Sequence, residues 1–306
     1  MRITFLIPSG VFAACLCGVA ALAGTHPATF VFAPVDGDHY WENSHREVVT
    51  EMDGSTRSQD FDVMDTKTEV SWKKVAESVQ MTRTARSLTD TDNGKPLENP
   101  SLPLILNRTT TNVFSKDGTF LRLEGNENLI ADAERIFPEQ LHASLEAAFE
   151  PATLEAGERR LWETADCGSL LGHEMTENAR WELHVPVPVQ NKPLTMNLIS
   201  RVVAVKRVKG RSEVTVMSFG STDATLLKPV DHPGIVDVQD SAVREFVTWN
   251  VTDLPLEKVV SRITVDAQTL ELIQREKITV DVGNTPEGLE TRTEDETITR
   301  KPADSR

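Results

Sequence analysis

Short apolar stretches that end in tight turns recur along this 306-residue chain, and they constrain its fold more than any other feature. Leu104–Phe114 and Thr119–Leu123 flank the turn residues Lys116–Gly118, and another strand returns after Lys209-Gly210. Turn residues between alternating or β-branched segments are typical of β-hairpins. Because a hairpin pairs its two strands antiparallel, the pattern predicts an antiparallel sheet.

Three other segments are interpreted from their local composition. Residues 88–103 are predicted to form a loop, because they hold three prolines and an Asn-Gly pair. Val185–Val189 is predicted to be an edge strand or extended loop, since its prolines cannot donate to a β-ladder. Ser241–Val251 is predicted to be a strand that carries Val243 and Val247 on one face.

The chain has one good helical signal. Apolar residues recur at spacings of three and four between residues 127 and 149, which is typical of a helix that packs one face on a core. Pro138 interrupts the pattern, and proline is tolerated at a helix start but not inside a helix. We therefore expect two helices, about 127–136 and 138–149, with a bend between them and a stop at Pro151.

Together these elements predict an α+β fold that is mainly antiparallel β. Two β regions, about 30–123 and 182–283, surround the helical insert, and a twisted sheet of this size tends to curl. We expect a curved sheet or half-barrel, with the helical segment at about 127–149 packed on its concave face.

The first residues carry an export signal. Residues 1–23 combine a positive Arg2, an apolar stretch and the small-residue ending Ala21–Ala23, which predicts a cleaved signal peptide. A lipoprotein leader, anchored through Cys15, is the alternative. Either reading predicts an exported protein, periplasmic or extracellular, and no transmembrane span after cleavage is expected, since no second long apolar run follows.

The mature chain is expected to hold one domain and a tail. Residues 24–283 are predicted to form a single β-rich domain, and residues 284–306 a polar, acidic, partly disordered tail with one edge strand near Thr293–Arg300. Cys167 is the one cysteine left after cleavage, so no intramolecular disulfide is expected. The fold must then depend on its hydrophobic core.

The charge of the chain excludes one broad class of partners. Acidic residues number 47 against 32 basic residues, which gives a formal net charge of −15. Nucleic acids and anionic lipid surfaces are bound through basic surfaces. A nucleic-acid-binding function is therefore not expected.

Catalytic motifs are incomplete where they begin. His173–Glu177 starts like a zinc-protease motif but lacks the second histidine. Ser218 lacks the glycine two residues before it that a nucleophile elbow needs. Cys167 has no basic neighbour in sequence, and such a cysteine is usually inert. We assign no catalytic residue, no metal ligand and no cofactor, and the ligand-binding residues remain unknown.

Two further groups of residues have two readings each. A basic cluster surrounds one hairpin turn and is either solvated or contacts a phosphate or lipid headgroup; its members are Lys206, Arg207, Lys209 and Arg211. The tryptophans either fill the core or line an apolar cavity on an open concave face. They are Trp41, Trp72, Trp162, Trp181 and Trp249.

Four segments of the chain together resemble a known family. In chain order they are Phe114–Gly118, the amphipathic segment 129–149, Leu171–Glu174 and the run from Trp181 to Pro188. In this arrangement the chain resembles an uncharacterised family of bacterial cell-envelope proteins over about residues 60–285. The resemblance implies an envelope location and a β-rich fold. It implies no catalytic residues.

Three functional hypotheses follow. The first is a non-enzymatic envelope protein that binds an apolar or lipid-like ligand in a cavity between sheet and helices. The second is an interaction or scaffolding module without a cavity, which meets an envelope protein on an edge strand or exposed face. The third is a hydrolase whose site is assembled from residues distant in sequence. A continuous apolar cavity would favour the first hypothesis over the second.

Overall fold

The computed structural model describes most of the chain in seven stretches, which are residues 28–54, 58–97, 102–164, 166–189, 192–248, 255–285 and 288–303. The predicted signal peptide, Cys15 and Trp249 lie outside the described residues. Among the residues that are described, no helix is long and apolar enough to cross a membrane.

Twelve strands form one sheet within the described residues. They are β1 (His39–Gly54), β2 (Ser58–Val75), β3 (Ser78–Asp92), β4 (Lys95–Pro96), β5 (Thr109–Ser115), β6 (Phe120–Glu124), β7 (Arg180–Val189), β8 (Lys192–Val208), β9 (Arg211–Ser221), β10 (Leu256–Asp266), β11 (Leu272–Thr285) and β12 (Gly288–Pro302). The strand order is β6-β5-β3-β2-β1-β12-β11-β10-β9-β8-β7, and the short β4 pairs with β3. Every pair is antiparallel, and the sheet is curved and unclosed. The predicted α+β, half-barrel-like fold class is confirmed.

The helices are shorter and more widely spread than predicted. They are α1 (Leu102–Ile105), α2 (Leu129–Ile136), α3 (His142–Phe149), α4 (Pro151–Thr164) and α5 (Ser241–Thr248). The predicted bend at Pro138 is confirmed, since a 3₁₀ turn over Glu139–Leu141 separates α2 from α3. The predicted stop at Pro151 is confirmed, since α3 ends at Phe149. Pro151 then opens α4, which was not predicted, because proline needs no backbone donor in a first turn.

Three other predictions need correction. Ser241–Val251 was expected to be a strand, yet α5 covers Ser241–Thr248; Val243 and Val247 lie four residues apart, a spacing that suits a helix face as well. The predicted loop at 88–103 is in part strand, because β3 continues to Asp92 and returns through Asn93-Gly94 into β4. Confining the helices mainly to 127–149 was therefore wrong.

The predicted tail is the largest correction. Residues 288–302 form β12, which lies between β1 and β11 near the middle of the sheet. Its polar residues suit this place because cationic partners face them: Arg46 lies 2.9 Å from Glu294, and Arg275 lies 2.9 Å from Glu296. The two β regions are thus joined by the segment that was expected to be an edge or disordered.

The register divides the sheet into two faces. Antiparallel partners share a face, so Val48, Glu294, Thr279, Val259 and Leu198 form a row on what we call the front face. Helices α1–α4 cover this side. The opposite, back face carries apolar residues of β9–β11, which pack against the segment that runs from a 3₁₀ helix at Ala224–Leu227 to α5. This second core includes Met217, Phe219, Val260, Val280, Leu226, Val230 and Phe246.

One end of the front face is filled by aromatic side chains. Phe32 lies 5.8 Å from Trp72, 5.5 Å from Phe114 and 5.8 Å from Trp162, measured between ring centroids. The indole of Trp162 donates a 2.9 Å hydrogen bond to the carbonyl oxygen of Gly118. This cluster fixes α4 on the sheet and leaves the remainder of the front face for other contacts.

Candidate functional site

Two open spaces lie between the front face and the helices. The first, which we call the apolar cavity, has a volume of about 460 Å³ and lies under α1–α3. The second, which we call the charged groove, has a volume of about 550 Å³ and lies under α4. Both volumes fall within the ~300–1,000 Å³ range of ordinary ligand pockets.

The apolar cavity is built from both layers of the fold. Its floor holds Thr68, Ala85 and Thr110 from β2, β3 and β5, which the register places on the front face. Its roof is aliphatic and aromatic, and is formed by Leu104, Ile105, Leu129 and Phe149. The amphipathic pattern that predicted the helices therefore also supplies the cavity roof.

The roof of the apolar cavity is held by few side chains. Leu104, Leu129 and Ala133 are buried together, whereas Leu145 and Phe149 of α3 are only partly buried against them. Among its described residues, α3 has no buried side chain. Segments with few buried apolar contacts open at low free energy, so α3 is the part of the roof that can move most easily.

Two arginines border the apolar cavity, and both are paired. Arg108 lies 2.5 Å from a carboxylate oxygen of Asp132 and donates through Nε to the carbonyl oxygen of Leu104 at 2.9 Å. Arg83 lies 3.4 Å from Glu42. Burial alone would lower the pKa of Arg83, but the carboxylates around it outweigh that effect and raise the pKa. Because these charges are compensated, the cavity suits an uncharged apolar group.

The charged groove has two ends of different chemistry. Its roof is one side of α4, where Gly157, Arg160, Leu161 and Thr164 recur at helical spacing. One end of the floor is aliphatic and is formed by Val185, Val187, Met196, Leu198 and Val259. The other end carries charges of both signs on Glu257, Lys277, Asp281, Glu290, Arg292 and Glu294.

The carboxylates at the charged end are only partly compensated. Glu257 and Asp281 are direct cross-strand partners, and like charges in that position repel. Burial is the main cause of the raised pKa of each carboxylate. The negative charge of Asp281 raises the pKa of Glu257 further, and that of Glu294 raises the pKa of Asp281 further. Arg160 lies 3.4 Å from Glu257, whereas Asp281 makes no hydrogen bond or ion pair with any described residue.

The charged groove continues toward the other half of the sheet. A third space of about 350 Å³ is lined by Arg46, Val48 and Met64, and it shares Glu290 and Arg292 with the groove. The third space therefore adjoins the charged groove on the front face.

The residues singled out from sequence lie outside both spaces. The ring of His173 stacks on Trp181 at 4.4 Å between centroids, and Ser218 forms a buried 2.8 Å hydroxyl pair with Ser200. Cys167 is buried, and burial raises the pKa of its thiol well above the ordinary value. Within the described residues, no group of three or more potential ligands could hold a metal ion.

The basic cluster surrounds the β8–β9 turn, where Lys209 and Gly210 both have positive φ. Its four side chains are exposed and line neither space, so the solvated reading fits it. Trp72, Trp162 and Trp181 are core residues, and Trp41 lies on the back face with the Lys67 amino group 4.0 Å from its ring centroid. None of these tryptophans lines the apolar cavity.

Comparisons with known proteins add little to this geometry. No family model and no curated protein matches the chain, so the resemblance to a cell-envelope family stays a prediction. A structure of lipovitellin, described in terms of its lipid–protein interactions, is 10% identical with a TM-score of 0.48, and the match covers 89% of this chain and 26% of that one. An exported-protein candidate with a YmcC-like fold from Bacteroides fragilis is 9% identical with a TM-score of 0.22, over 90% of this chain and 100% of that one. This chain thus spans about a quarter of the lipovitellin chain. Both TM-scores are too low to support an argument about the ligand.

Proposed function

We propose that this chain is an exported, non-enzymatic protein that binds an apolar or lipid-like ligand in the apolar cavity. One observation carries the proposal: the front face is filled by aromatic residues at one end but keeps a 460 Å³ space with an apolar roof beside it. A scaffolding module would be expected to fill that space with side chains, because protein interiors are close-packed.

The lining favours a ligand with a hydrocarbon part. Leu104, Ile105, Leu129 and Phe149 offer no hydrogen-bonding side chain, and each Å² of apolar surface removed from water contributes about 25 cal/mol. Among the described lining residues the cations are Arg83 and Arg108, and both are paired, so neither is open to an anionic head. Recognition by shape and apolar area is therefore the main expected source of affinity.

The leader supports an exported location for this binding. Residues 1–23 have the charge, apolar stretch and small-residue ending of a cleaved signal. An exported protein that holds an apolar molecule would keep that molecule out of water between membranes or outside the cell. Envelope membership, suggested by the family resemblance, is part of this proposal.

The scaffolding alternative is less well supported at the sheet edges. In the edge strand β7, Pro186 and Pro188 lack the N–H that an added strand would need. At the other edge, Arg159 of α4 donates to the carbonyl oxygens of Phe120 and Leu121 at 2.7 and 3.2 Å. Both edges are thus partly closed to a partner strand.

The test compares two phenylalanine substitutions on the same strand. Ala85→Phe places a ring in the apolar cavity, and Thr89→Phe, exposed on the back face of β3, is the matched control. With the uncharged dye N-phenyl-1-naphthylamine, we expect Ala85→Phe to raise the Kd by about tenfold or more, equivalent to about 1.4 kcal/mol. The control should bind like the unmodified chain.

Native mass spectrometry after gentle extraction completes the test. Co-purified apolar molecules should be retained by the unmodified chain and by Thr89→Phe, but reduced in Ala85→Phe. Equal dye affinity of all three proteins, each with an unchanged circular dichroism spectrum, would overturn the proposal.

A further inference from the structure

We propose that the charged groove is a second binding site, which takes a zwitterionic amphiphile. Its alkyl part would lie on Val187, Met196 and Leu198, its anionic group near Lys277 and its cationic group near Asp281. This inference is independent of the proposed function, because the groove and the apolar cavity share no lining residue.

The first observation is a glycine in the interior of α4. Gly157 lies seven residues from the helix end at Thr164, where glycine is unfavourable relative to alanine. Such a glycine is often explained by a close neighbour, but a Cβ added at Gly157 would meet nothing within 4 Å. Gly157 lines the groove, so its missing side chain widens the space above the charged floor.

The second observation is a pair of opposite charges that make no direct side-chain contact with the charged residues beside them. Arg292 is the cross-strand partner of Asp281 and Glu296 that of Lys277, yet neither Lys277 nor Asp281 makes a side-chain hydrogen bond or ion pair among the described residues. Both lie on β11 and on the front face, four residues apart, which places their α-carbons about 13 Å from each other at about 3.3 Å per residue. At this separation, the anionic group of a zwitterionic headgroup can bind near Lys277 while its cationic group binds near Asp281.

The third observation is the aliphatic end of the same groove. Val187, Met196 and Leu198 are buried in a small apolar cluster that borders the charged floor. A small polar zwitterion would gain nothing from that surface, whereas an alkyl chain would gain the free energy of apolar burial. Burial also raises the pKa of both Glu257 and Asp281, although Arg160 and Lys277 act to lower it.

The binding test uses three single-chain probes with the same alkyl length. Dodecylphosphocholine is zwitterionic, dodecyl sulfate is anionic and dodecyltrimethylammonium is cationic, and each is titrated calorimetrically below its micelle concentration. We expect dodecylphosphocholine to bind about tenfold more tightly than either singly charged probe. Equal or tighter binding of dodecyl sulfate would overturn the zwitterionic assignment.

Gly157→Leu tests the place of binding without weakening the helix. A Cβ at this position meets nothing within 4 Å and leucine has the better helix propensity, so the melting temperature of the Gly157→Leu variant should not fall. Ala156→Leu, one position along α4 and exposed, is the matched control. We expect Gly157→Leu to weaken phosphocholine binding by about tenfold and Ala156→Leu to leave it unchanged. Equal affinities for both variants would overturn the groove assignment.

Two charge variants then test the contacts of the anionic and the cationic group of the ligand separately. Lys277→Met should weaken binding of the zwitterion and the sulfate but not of the ammonium probe. Asp281→Asn should weaken binding of the zwitterion and the ammonium probe but not of the sulfate. Ala85→Phe should leave all three affinities unchanged, so failure of the proposed function in the apolar cavity is distinguishable from failure here.

Discussion

The apolar cavity and the charged groove lie between the same sheet face and consecutive helices. They differ in how fully their charged side chains form ion pairs within the protein. At the apolar cavity, Arg83 and Arg108 are paired with Glu42 and Asp132. In the charged groove, Lys277 and Asp281 make no hydrogen bond or ion pair among the described residues, although Glu296 and Arg292 are their cross-strand partners. Compensated charges leave shape and apolar area as the means of recognition, whereas open charges can select a headgroup.

Their roofs also differ in how firmly they are attached. Trp162 anchors α4 in the aromatic cluster, with its ring centroid 4.6 Å from that of Phe114. By contrast, α3 has no buried side chain over the apolar cavity. The charged groove therefore has the more firmly attached roof, and we expect an apolar ligand to enter the apolar cavity through its looser roof.

The largest expected effect comes from removing the anchor of α4. Trp162→Ala should destabilise the chain by about 3–5 kcal/mol, because a buried tryptophan loses its contacts and leaves a cavity. Its hydrogen bond to Gly118 is lost as well. Urea unfolding of the mature chain measures the change. A loss below that of Leu145→Ala, in the partly buried α3, would contradict the difference between the two roofs.

A smaller effect is expected where α2 covers the apolar cavity. Leu129→Ala should cost about 2–3 kcal/mol, near the lower end for buried leucines, because Leu129 already borders open space. The same substitution enlarges the cavity. Binding of N-phenyl-1-naphthylamine should therefore persist in the folded variant, and complete loss of dye binding would contradict the cavity's assigned position.

Much of the sheet could be predicted from local sequence because hairpins are local. Turn chemistry and alternation placed the turns at Lys116–Gly118 and Lys209-Gly210. The prolines of Val185–Val189 predicted an edge strand or extended loop, and this segment lies in the edge strand β7. The position of β12 could not be predicted in this way, since most of its residues are polar and Leu289 and Ile298 are its only apolar core contacts among the described residues. Arg46 and Arg275, which neutralise its glutamates, lie far away in sequence.

The candidate sites were less predictable than the fold. A cavity between sheet and helices was one of the hypotheses, and the amphipathic segment 127–149 contains its roof residues Leu129 and Phe149, but the described tryptophans among the candidate lining residues do not line it. Ala85 reaches the cavity floor only because a bulge between Lys67 and Thr68 shifts the pairing of β2 with β3. The spacing of Gly157, Arg160, Leu161 and Thr164 was a readable signal for one side of a helix, but α4 was missed when Pro151 was taken as a stop.

A stabilising effect is expected from closing the space left by Gly157. Gly157→Ala should raise the free energy of unfolding by about 0.5–1 kcal/mol, because alanine has the better helix propensity and its Cβ meets nothing within 4 Å. Thermal and urea unfolding both measure it. Destabilisation would mean that the groove is narrower at this point than the structure indicates, and it would weaken the contrast between the two spaces.

The subtlest difference between the two spaces is how stability responds to pH at Asp281. Burial raises the folded-state pKa of Asp281 above the ordinary value of 3.8, so the unfolded chain releases this proton more readily than the folded chain. Its contribution to stability is therefore fully present below 3.8 and is lost as the pH rises through the folded-state pKa. Asp281→Asn removes this dependence and should stabilise the chain at neutral pH, with the gain shrinking as the pH falls through the folded-state pKa toward 3.8.

Asp60→Asn, at an exposed position, is the control for Asp281→Asn, and urea unfolding across this pH range measures both. A gain for Asp281→Asn that is equal at neutral and acidic pH would indicate an effect of packing and not of charge. A loss at neutral pH would mean that Lys277, Arg160 and Arg292, which lower the pKa of Asp281, already compensate its charge. In that case the charged groove would resemble the apolar cavity, with charges satisfied within the protein, and headgroup selection would lose its physical basis.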